Sequence, residues 1–458
     1  MGVGALAFVA LVWAMACLRG SSPRWALVFG VALALRLLLL PLEPTLSNDA
    51  HRYLWDGRVL AAGYDPYSLP PEAEELVSLR GELWERMHHR DVPTVYPPMA
   101  MALFTVAARL PGDWLAQLVA LKGLLVLVDL LACAGLVYIA RRRDLSTAAV
   151  VAYAWNPLVC LEIAGMGHVD ALGVACVVLG VAAWHWMAWY RREPPEGYGA
   201  QGALDRWRVS ASGALGLAVA MVAGVLSKLV PVVLLPLWAR ACRRPLWFVG
   251  GALAALVVGL GPLWVIVGGV PPGLLRYGVS WEFNGPLFEP LWRLFDLVGT
   301  PQWGERLLNA IKAADGHDPF WNRFYPFNYP QLHAKLVLAG LLGCAVLRAA
   351  WQASRAGWRD PVTGTGRLLA AALLCTATFY PWYSLWVLPF AALCGQRAWL
   401  ALSALMLITY APQHGEFSHW PWTFALVWIP FALLLWRNPR WELREPEELR
   451  ESGGRDGI

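Results

Sequence analysis

The stretch SNDAHRYLWDGRVLAAGYDPY, from Ser47 to Tyr67, sets acids, bases and aromatic side chains directly after two apolar segments. Asp49 stands a few residues past an apolar run that closes with LRLLLLPLEPTL, which places its carboxylate at the boundary between lipid and water. There it can take a proton from an attacking hydroxyl. Farther on, His168 and Asp170 in GMGHVD, Lys228 in LSKLVP, and Arg276, Glu282 and Asn284 in an aromatic-rich stretch add an imidazole, acids and cations. Acids that accept a proton, beside cations that hold a departing phosphate, suit transfer of a sugar with inversion at its anomeric carbon. Asp49 is the candidate base; Lys228, His168 and one arginine are the phosphate candidates. Arg52, Asp56, Asp170 and Arg276 complete the candidate substrate-binding set.

Each residue also has a structural use. Ser47 and Asn48 are good helix caps, and Asp49 favours the N-terminus of the helix they open. Asp56 lies four positions after Arg52 and pairs with it on one helix face. His168 and Asp170 can cap the helix that follows, and Lys228 can reach along its stem to lipid headgroups.

The elements that position these residues follow from apolar patterning. Tyr53, Leu54, Val59 and Leu60 share one face of a helix over Ala50 to Ala62, with Arg52, Asp56 and Arg58 elsewhere, predicting an amphipathic helix lying on a surface. The chain is 58% hydrophobic and 15% charged over 458 residues, with mean hydropathy +0.47. No water-soluble core hides that much apolar surface, and runs of about 20 apolar residues recur to residue 437 or so. The prediction is an all-α polytopic membrane protein of about 13 spans in a single domain, residues 1–437, with a charged cytoplasmic tail over 438–458.

Basic residues gather in short loops between apolar runs, as the positive-inside rule expects, so the net charge of +5 is no sign of nucleic acid. With Arg19, Arg24, Arg141, Arg142, Arg143, the loop YRREPPEGYGAQGALDRWR, Arg355 and Arg359 inside, the larger loops 43–97 and 269–334, FYPWYS and QHGEFSHW fall outside. Spans are predicted near 114–139, 145–162 and 168–189. The run between Arg208 and Arg240 must cross twice, turning at Ser227 and Lys228; the helix after Tyr96 is too short for a span. The eight cysteines mostly lie within or beside apolar runs with no C-x-x-C pair, and read as packing residues rather than disulfides or metal ligands.

SNDAHRYLWDGRVLAAGYDPY, VYPPMA, WNPLVCLEIAGMGHVDALG and LSKLVPVVLLPLW, in that order over the first half of the chain, resemble blocks of the bacterial GT-C membrane glycosyltransferases. The nearest resemblance is to glycosyltransferase family 87, which includes polyprenol-phosphate-mannose-dependent mannosyltransferases. It implies an acid at the start of the first external loop acting as base, falling here on Asp49. It also maps the family's GxGHxDAL histidine and aspartate onto His168 and Asp170. Many relatives carry two adjacent acids where this chain has Asn48 before Asp49; that departure counts against a metal-assisted scheme needing both carboxylates and leaves a single-base mechanism standing, with no cofactor expected and a divalent metal left open. The implied partners are a polyprenyl-phosphate sugar donor, a glycan or glycolipid acceptor, and membrane lipid.

Two other classes use the same features differently. In a transporter or lipid flippase, Arg36, Lys122 and Asp129 inside apolar runs would form the pathway; the structural alternative is ion pairing among them. An O-antigen-type ligase or polymerase would depend on Arg276 and Glu282 in the late loop.

Overall fold

The computed structural model describes residues 2–18, 24–189, 209–242, 244–315, 329–354, 361–414 and 419–441. Arg19, the basic loop from Tyr190 to Arg208, Arg355, Arg359, part of QHGEFSHW and the tail beyond residue 441 lie outside the described residues. Regular structure among the described residues is helical; isolated bridges join Val209 to Cys242, and Phe283 and Asn284 to Thr378.

Seven helices of the first half frame the chemistry: α1 (Gly2–Leu18), α2 (Trp25–Leu39), α3 (Asp49–Ala61), α4 (Pro98–Ala108), α5 (Trp114–Arg142), α6 (Asp170–Trp189) and α7 (Ala211–Ser227). Among the described residues, five helices are long and apolar enough to cross a membrane: Trp114–Arg142, Asp170–Met187, Pro245–Val267, Pro330–Ala353 and His419–Arg437. The predicted span near 145–162 is a bent pair, Thr147–Ala154 and Pro157–Gly165, which meet at 42° and are together long and apolar enough for a sixth, broken span. Pro157 has no N–H to continue the first helix, and the Asn156 side chain accepts from the Leu158 N–H at 3.0 Å to start the second. The apolar segments around Lys228 and after Arg397 are likewise shorter helices. Leu246, Val257, Val258 and Val265 project outward from Pro245–Val267, an apolar surface suited to lipid rather than water. This is a membrane protein.

The helix predicted to lie on a surface is instead covered. Ala50, His51, Tyr53, Leu54, Trp55, Asp56, Gly57 and Val59 of α3 are all buried, and only Leu60 of its apolar set is exposed. The reason is α4, which packs across α3. Gly57 makes the close approach possible, because a Cβ there would overlap the Phe104 carbonyl, and Tyr53 stacks on Phe104 with ring centroids 4.6 Å apart. The stretch that begins at Ser47 is therefore clamped by α4 as well as by the bundle.

Charges inside the apolar runs are spent on the fold. Arg36 Nε donates to Asp129 at 2.6 Å and its Nη1 to the carbonyls of Ala32 and Ala154, while Tyr153 Oη donates to Asp129 at 2.7 Å. Lys122 shares no pair with Asp129; its Nζ donates to the carbonyls of Leu40 and Leu42, which follow the end of α2. These carbonyls have no helical partner, so the buried lysine acts as a C-terminal cap.

The late loop is tied down by its own backbone. Phe283 N donates to Ala377 O at 3.1 Å and Phe379 N to Phe283 O at 2.6 Å. Asn284, at a left-handed φ of 54°, accepts from Trp428 Nε1 at 2.9 Å. This holds the helix Pro272–Ser280 and Trp281 beside the aromatic segment Tyr380–Tyr383.

Candidate active site

A cavity of about 1060 Å³ opens between the first loop and the second half of the chain. Its first-loop wall includes Asp49, His51, Arg52 and His89; the opposite wall includes Lys228, Tyr277, Trp281 and Trp382.

Asp49 is the first residue of α3, and its N–H donates to Ser47 Oγ at 3.2 Å. The positive end of the helix dipole favours an anion at this position. Its side chain keeps 32% exposure, enough to meet a substrate. Tyr53 Oη donates to Asp49 Oδ2 at 3.4 Å, and burial first, then Tyr96 and Asp49, push the Tyr53 phenol well above its usual range. Tyr53 therefore stays a proton donor that orients the carboxylate.

Behind Asp49 lies His168, fully buried, with Nδ1 3.8 Å from Asp49 Oδ2 and Nε2 3.1 Å from Glu162 Oε2. Its ring stacks on Trp382 at 3.9 Å. Glu162, also fully buried, accepts from Tyr410 Oη at 2.8 Å. The turn that brings the histidine here runs through Gly167, whose φ of +77° and contact with Lys122 and Ala50 leave no place for a side chain.

The second charged knot holds Lys228. The chain leaves α7 at Lys228 in an extended conformation, and its Nζ contacts both oxygens of buried Asp170 while lying 4.4 Å over the Tyr383 ring. Trp386 Nε1 donates to Asp170 at 2.6 Å. A lysine fixed in this way, 19% exposed, is a stationary cation on the cavity wall.

The remaining candidates are placed differently. Arg52 lines the cavity, but its guanidinium donates to Asp56 at 2.8 Å and to the carbonyls of His89 and Val92, so it staples the first loop. Asp56 is buried away from the cavity; burial raises its pKa and Arg52 opposes the shift. Arg276 pairs with Asp91 at 2.6 Å, both about half exposed, whereas its neighbours Leu274, Tyr277 and Gly278 line the cavity. The structure thus brings together Asp49 with His168 and Lys228 with Asp170, and leaves Asp56 and Arg276 outside. No group of three His, Cys, Asp or Glu side chains among the described residues is placed to hold a metal ion.

Sequence reasoning gave no role to Glu162, Tyr410 or Trp386. For Glu162 a signal existed, an isolated acid at the end of an apolar run. The tyrosine and tryptophan carried none, since their partners lie 248 and 216 positions away.

A search of curated proteins finds no match to this chain. A family model does match: that of the alpha-(1->6)-mannopyranosyltransferase N-terminal domain, over residues 1–244, which contain Asp49, Glu162, His168, Asp170 and Lys228. With more than half of its length covered, and with the acid, the buried imidazole and the fixed lysine all inside the matched region, the chain belongs to this MptA/B family and is a mannosyltransferase.

Proposed function

We propose that the enzyme transfers mannose, with inversion, from a polyprenyl-phosphate donor to a hydroxyl of a glycan or glycolipid acceptor at the outer face of the cell membrane, as a GT-C-type enzyme. The observation that carries this reading is that Asp49 and Lys228 open on the same cavity. One supplies a carboxylate for the acceptor proton, the other a cation for the leaving phosphate. An α-linked product formed by inversion requires a β-linked donor.

The acceptor oxygen attacks the anomeric carbon as Asp49 takes its proton, and the bonding pair of the departing C–O bond goes to the phosphate oxygen. Lys228, anchored by Asp170, meets the growing charge without reorganising. Trp281, Tyr380 and Trp382 give flat apolar walls against which sugar rings stack. Arg52 holds the loop that carries His89 and Val92, and Arg276 with Asp91 ties the late helix to that loop.

Placement at the outer face rests on the distribution of basic loops. Nucleotide sugars are cytoplasmic, so a lipid-borne donor follows from that placement. The shorter apolar helices would complete a bundle of about 13 spans around the external loops 43–97 and 269–334, with residues 438–458 a cytoplasmic tail.

The test is Asp49→Asn reconstituted in liposomes with a polyprenyl-phosphate mannose. The variant is expected to fold and reach wild-type membrane levels while transfer falls by about 10²–10⁴-fold, the usual contribution of a general base. Turnover at the wild-type rate removes Asp49 from this role. A transport reading has less support, since Arg36, Lys122 and Asp129 bond each other or backbone carbonyls and are fully buried away from the cavity.

A further inference from the structure

Asp49, His168 and Glu162 form a line of three titratable groups that runs from the cavity into the protein. Asp49 is the only one of the three on the cavity wall. Glu162 is a costly residue to bury, since an isolated carboxylate in an apolar bundle loses its hydration, and retention of such a group is favoured only where partners meet it. Its partners are Tyr410 Oη at 2.8 Å on one oxygen and His168 Nε2 at 3.1 Å from the other.

We infer that Glu162 is a positioning residue for the transfer: it fixes the tautomer of His168 so that the free Nδ1 can relieve Asp49 of the proton taken from the acceptor. This rests on Asp49 being the base. Nε2 lies 3.1 Å from Glu162 Oε2 without a hydrogen bond between them, so Glu162 acts through its charge: it favours the proton on Nε2 and leaves Nδ1 unprotonated on the side of Asp49. The acceptor O–H proton passes to Asp49 Oδ2 as the new C–O bond forms and the phosphate leaves with the old bonding pair. The same proton then moves from Asp49 Oδ2 to His168 Nδ1. Asp49 is again a carboxylate, His168 carries the proton as an imidazolium, and Glu162 gains and loses none; one proton has moved and no charge is created overall. The imidazolium is stabilised by Glu162 and by the Trp382 face on which it lies 3.9 Å away. On product release the proton returns through Asp49 to water.

The 3.8 Å between His168 and Asp49 is longer than a hydrogen bond, so the transfer requires the pair to close by about 1 Å as substrate binds. Other charged or titratable groups around the imidazole are already engaged. Tyr53 faces Asp49, Tyr410 faces Glu162, Asp170 holds Lys228 and Trp386, and Lys122 is bound to the carbonyls after α2. The line therefore has one outlet, through Asp49.

The experiment compares Glu162→Gln, His168→Gln and Asp49→Asn in liposomes carrying a polyprenyl-phosphate mannose and acceptor, with the kcat profile measured from pH 5 to 9. Glutamine keeps the size of Glu162 and can still accept from Tyr410, but it no longer holds an imidazolium. Glu162→Gln is expected to lower kcat roughly 10- to 100-fold with donor KM within about threefold of wild type. Its acidic limb should move to lower pH, because the carboxylate 3.1 Å from the ring is gone. Glu162→Asp should recover part of the rate. A double Asp49→Asn/Glu162→Gln variant should be no slower than Asp49→Asn alone, as for residues that act as a unit. If Glu162→Gln turns over at the wild-type rate, or slows with an unmoved pH limb, while Asp49→Asn is inactive, the inference falls and the base stands. If Asp49→Asn itself retains turnover, the base reading falls and this one with it. Binding of a non-transferable polyprenyl phosphate by Glu162→Gln at wild-type affinity separates lost chemistry from lost folding; a variant that binds and is slow with a shifted limb supports the role.

Discussion

Both carboxylate oxygens of Asp170 accept from the ammonium of Lys228, at 2.9 and 2.8 Å, across 58 positions of chain. The bond joins the start of α6 to the end of α7 and turns a flexible side chain into a fixed charge on the cavity wall. If that charge meets the donor phosphate, Lys228→Met should lower kcat/KM for the donor by about 10²-fold, in line with the loss of one charge-assisted contact to a developing anion. Asp170→Asn keeps the lysine but frees it, so a milder rise of about tenfold in donor KM is expected. Steady-state kinetics with varied donor distinguish the two; equal, negligible effects would remove the lysine from the phosphate site.

The same knot makes a prediction at a position with no polar atoms of its own. A Cβ on Gly173 would run into the outer ring of Trp386, whose Nε1 holds Asp170. Gly173→Ala must therefore displace the indole, at a cost of about 1–3 kcal/mol for an overpacked core. A lower melting temperature together with a donor KM raised as in Asp170→Asn is expected; a variant that loses stability with unchanged KM would show that Trp386 does not position the lysine.

Arg36 and Asp129 test the opposite case, a charge pair with a purely structural task. Both side chains are fully buried, and removing one partner strands the other in an apolar bundle. Asp129→Asn should cost about 3–5 kcal/mol and reduce the amount of folded protein in detergent. Turnover per folded molecule should stay at the wild-type value, because neither residue reaches the cavity. Solute movement that vanished with this variant while mannosyl transfer persisted would instead assign the pair to a pathway.

These contrasts show what the residue pattern can and cannot convey. Asp49 and Lys228 were legible because each breaks a strong rule of membrane sequences, an acid or a lysine at the edge of an apolar run, and because GMGHVD is a compact local block. The i, i+4 pairing of Arg52 with Asp56 was legible from helical spacing alone and is present at 2.8 Å. What periodicity cannot supply is which face of a helix a distant segment will cover. The helix α3 reads as amphipathic, yet α4 packs against it at Gly57, which looks in the sequence like any helix-weakening glycine, and its polar His51 and Asp56 are buried as well, His51 against Trp114 and Asp56 beside Arg52. The bend at Asn156 and Pro157 did carry a local signal, an Asn-Pro pair inside the apolar run, which a reading by length and hydropathy alone passes over.

Arg276, on the late helix, pairs with Asp91 at 2.6 Å with both side chains about half exposed, and Glu282, just beyond it, pairs with Lys335 at 2.9 Å with side chains 27% and 15% exposed. An exposed pair such as the first contributes about 0–1 kcal/mol. Arg276→Ala and Glu282→Ala should each leave the melting temperature within a few degrees and kcat within about threefold, while Asp49→Asn abolishes transfer. Loss of activity in the first two equal to that of the third would favour an enzyme whose chemistry depends on the late loop, as in a ligase-type reaction.

His51 gives the first loop a pH dependence of known sign. Its ring is buried on α3 beside Trp114, and burial holds its pKa below the ordinary 6.5; Glu43 pulls the other way, and Arg86 and Lys122 add to the lowering. His89, in the same loop, is lowered as well, first by burial and then by His88. The unfolded chain thus binds protons at these sites at a pH where the folded chain does not, and stability must rise with pH across that interval. The contribution is complete above about pH 6.5 and is lost as pH falls through the lower folded-state values. Melting followed by tryptophan fluorescence should be flat between pH 7 and 8 and decline by several degrees toward pH 5. His51→Gln should flatten that decline, because the amide fills part of the same space and binds no proton. A decline that is equally steep in the variant would place the acid sensitivity elsewhere in the loop, and one that reverses sign would mean that Glu43 outweighs burial and the imidazole is charged in the folded protein.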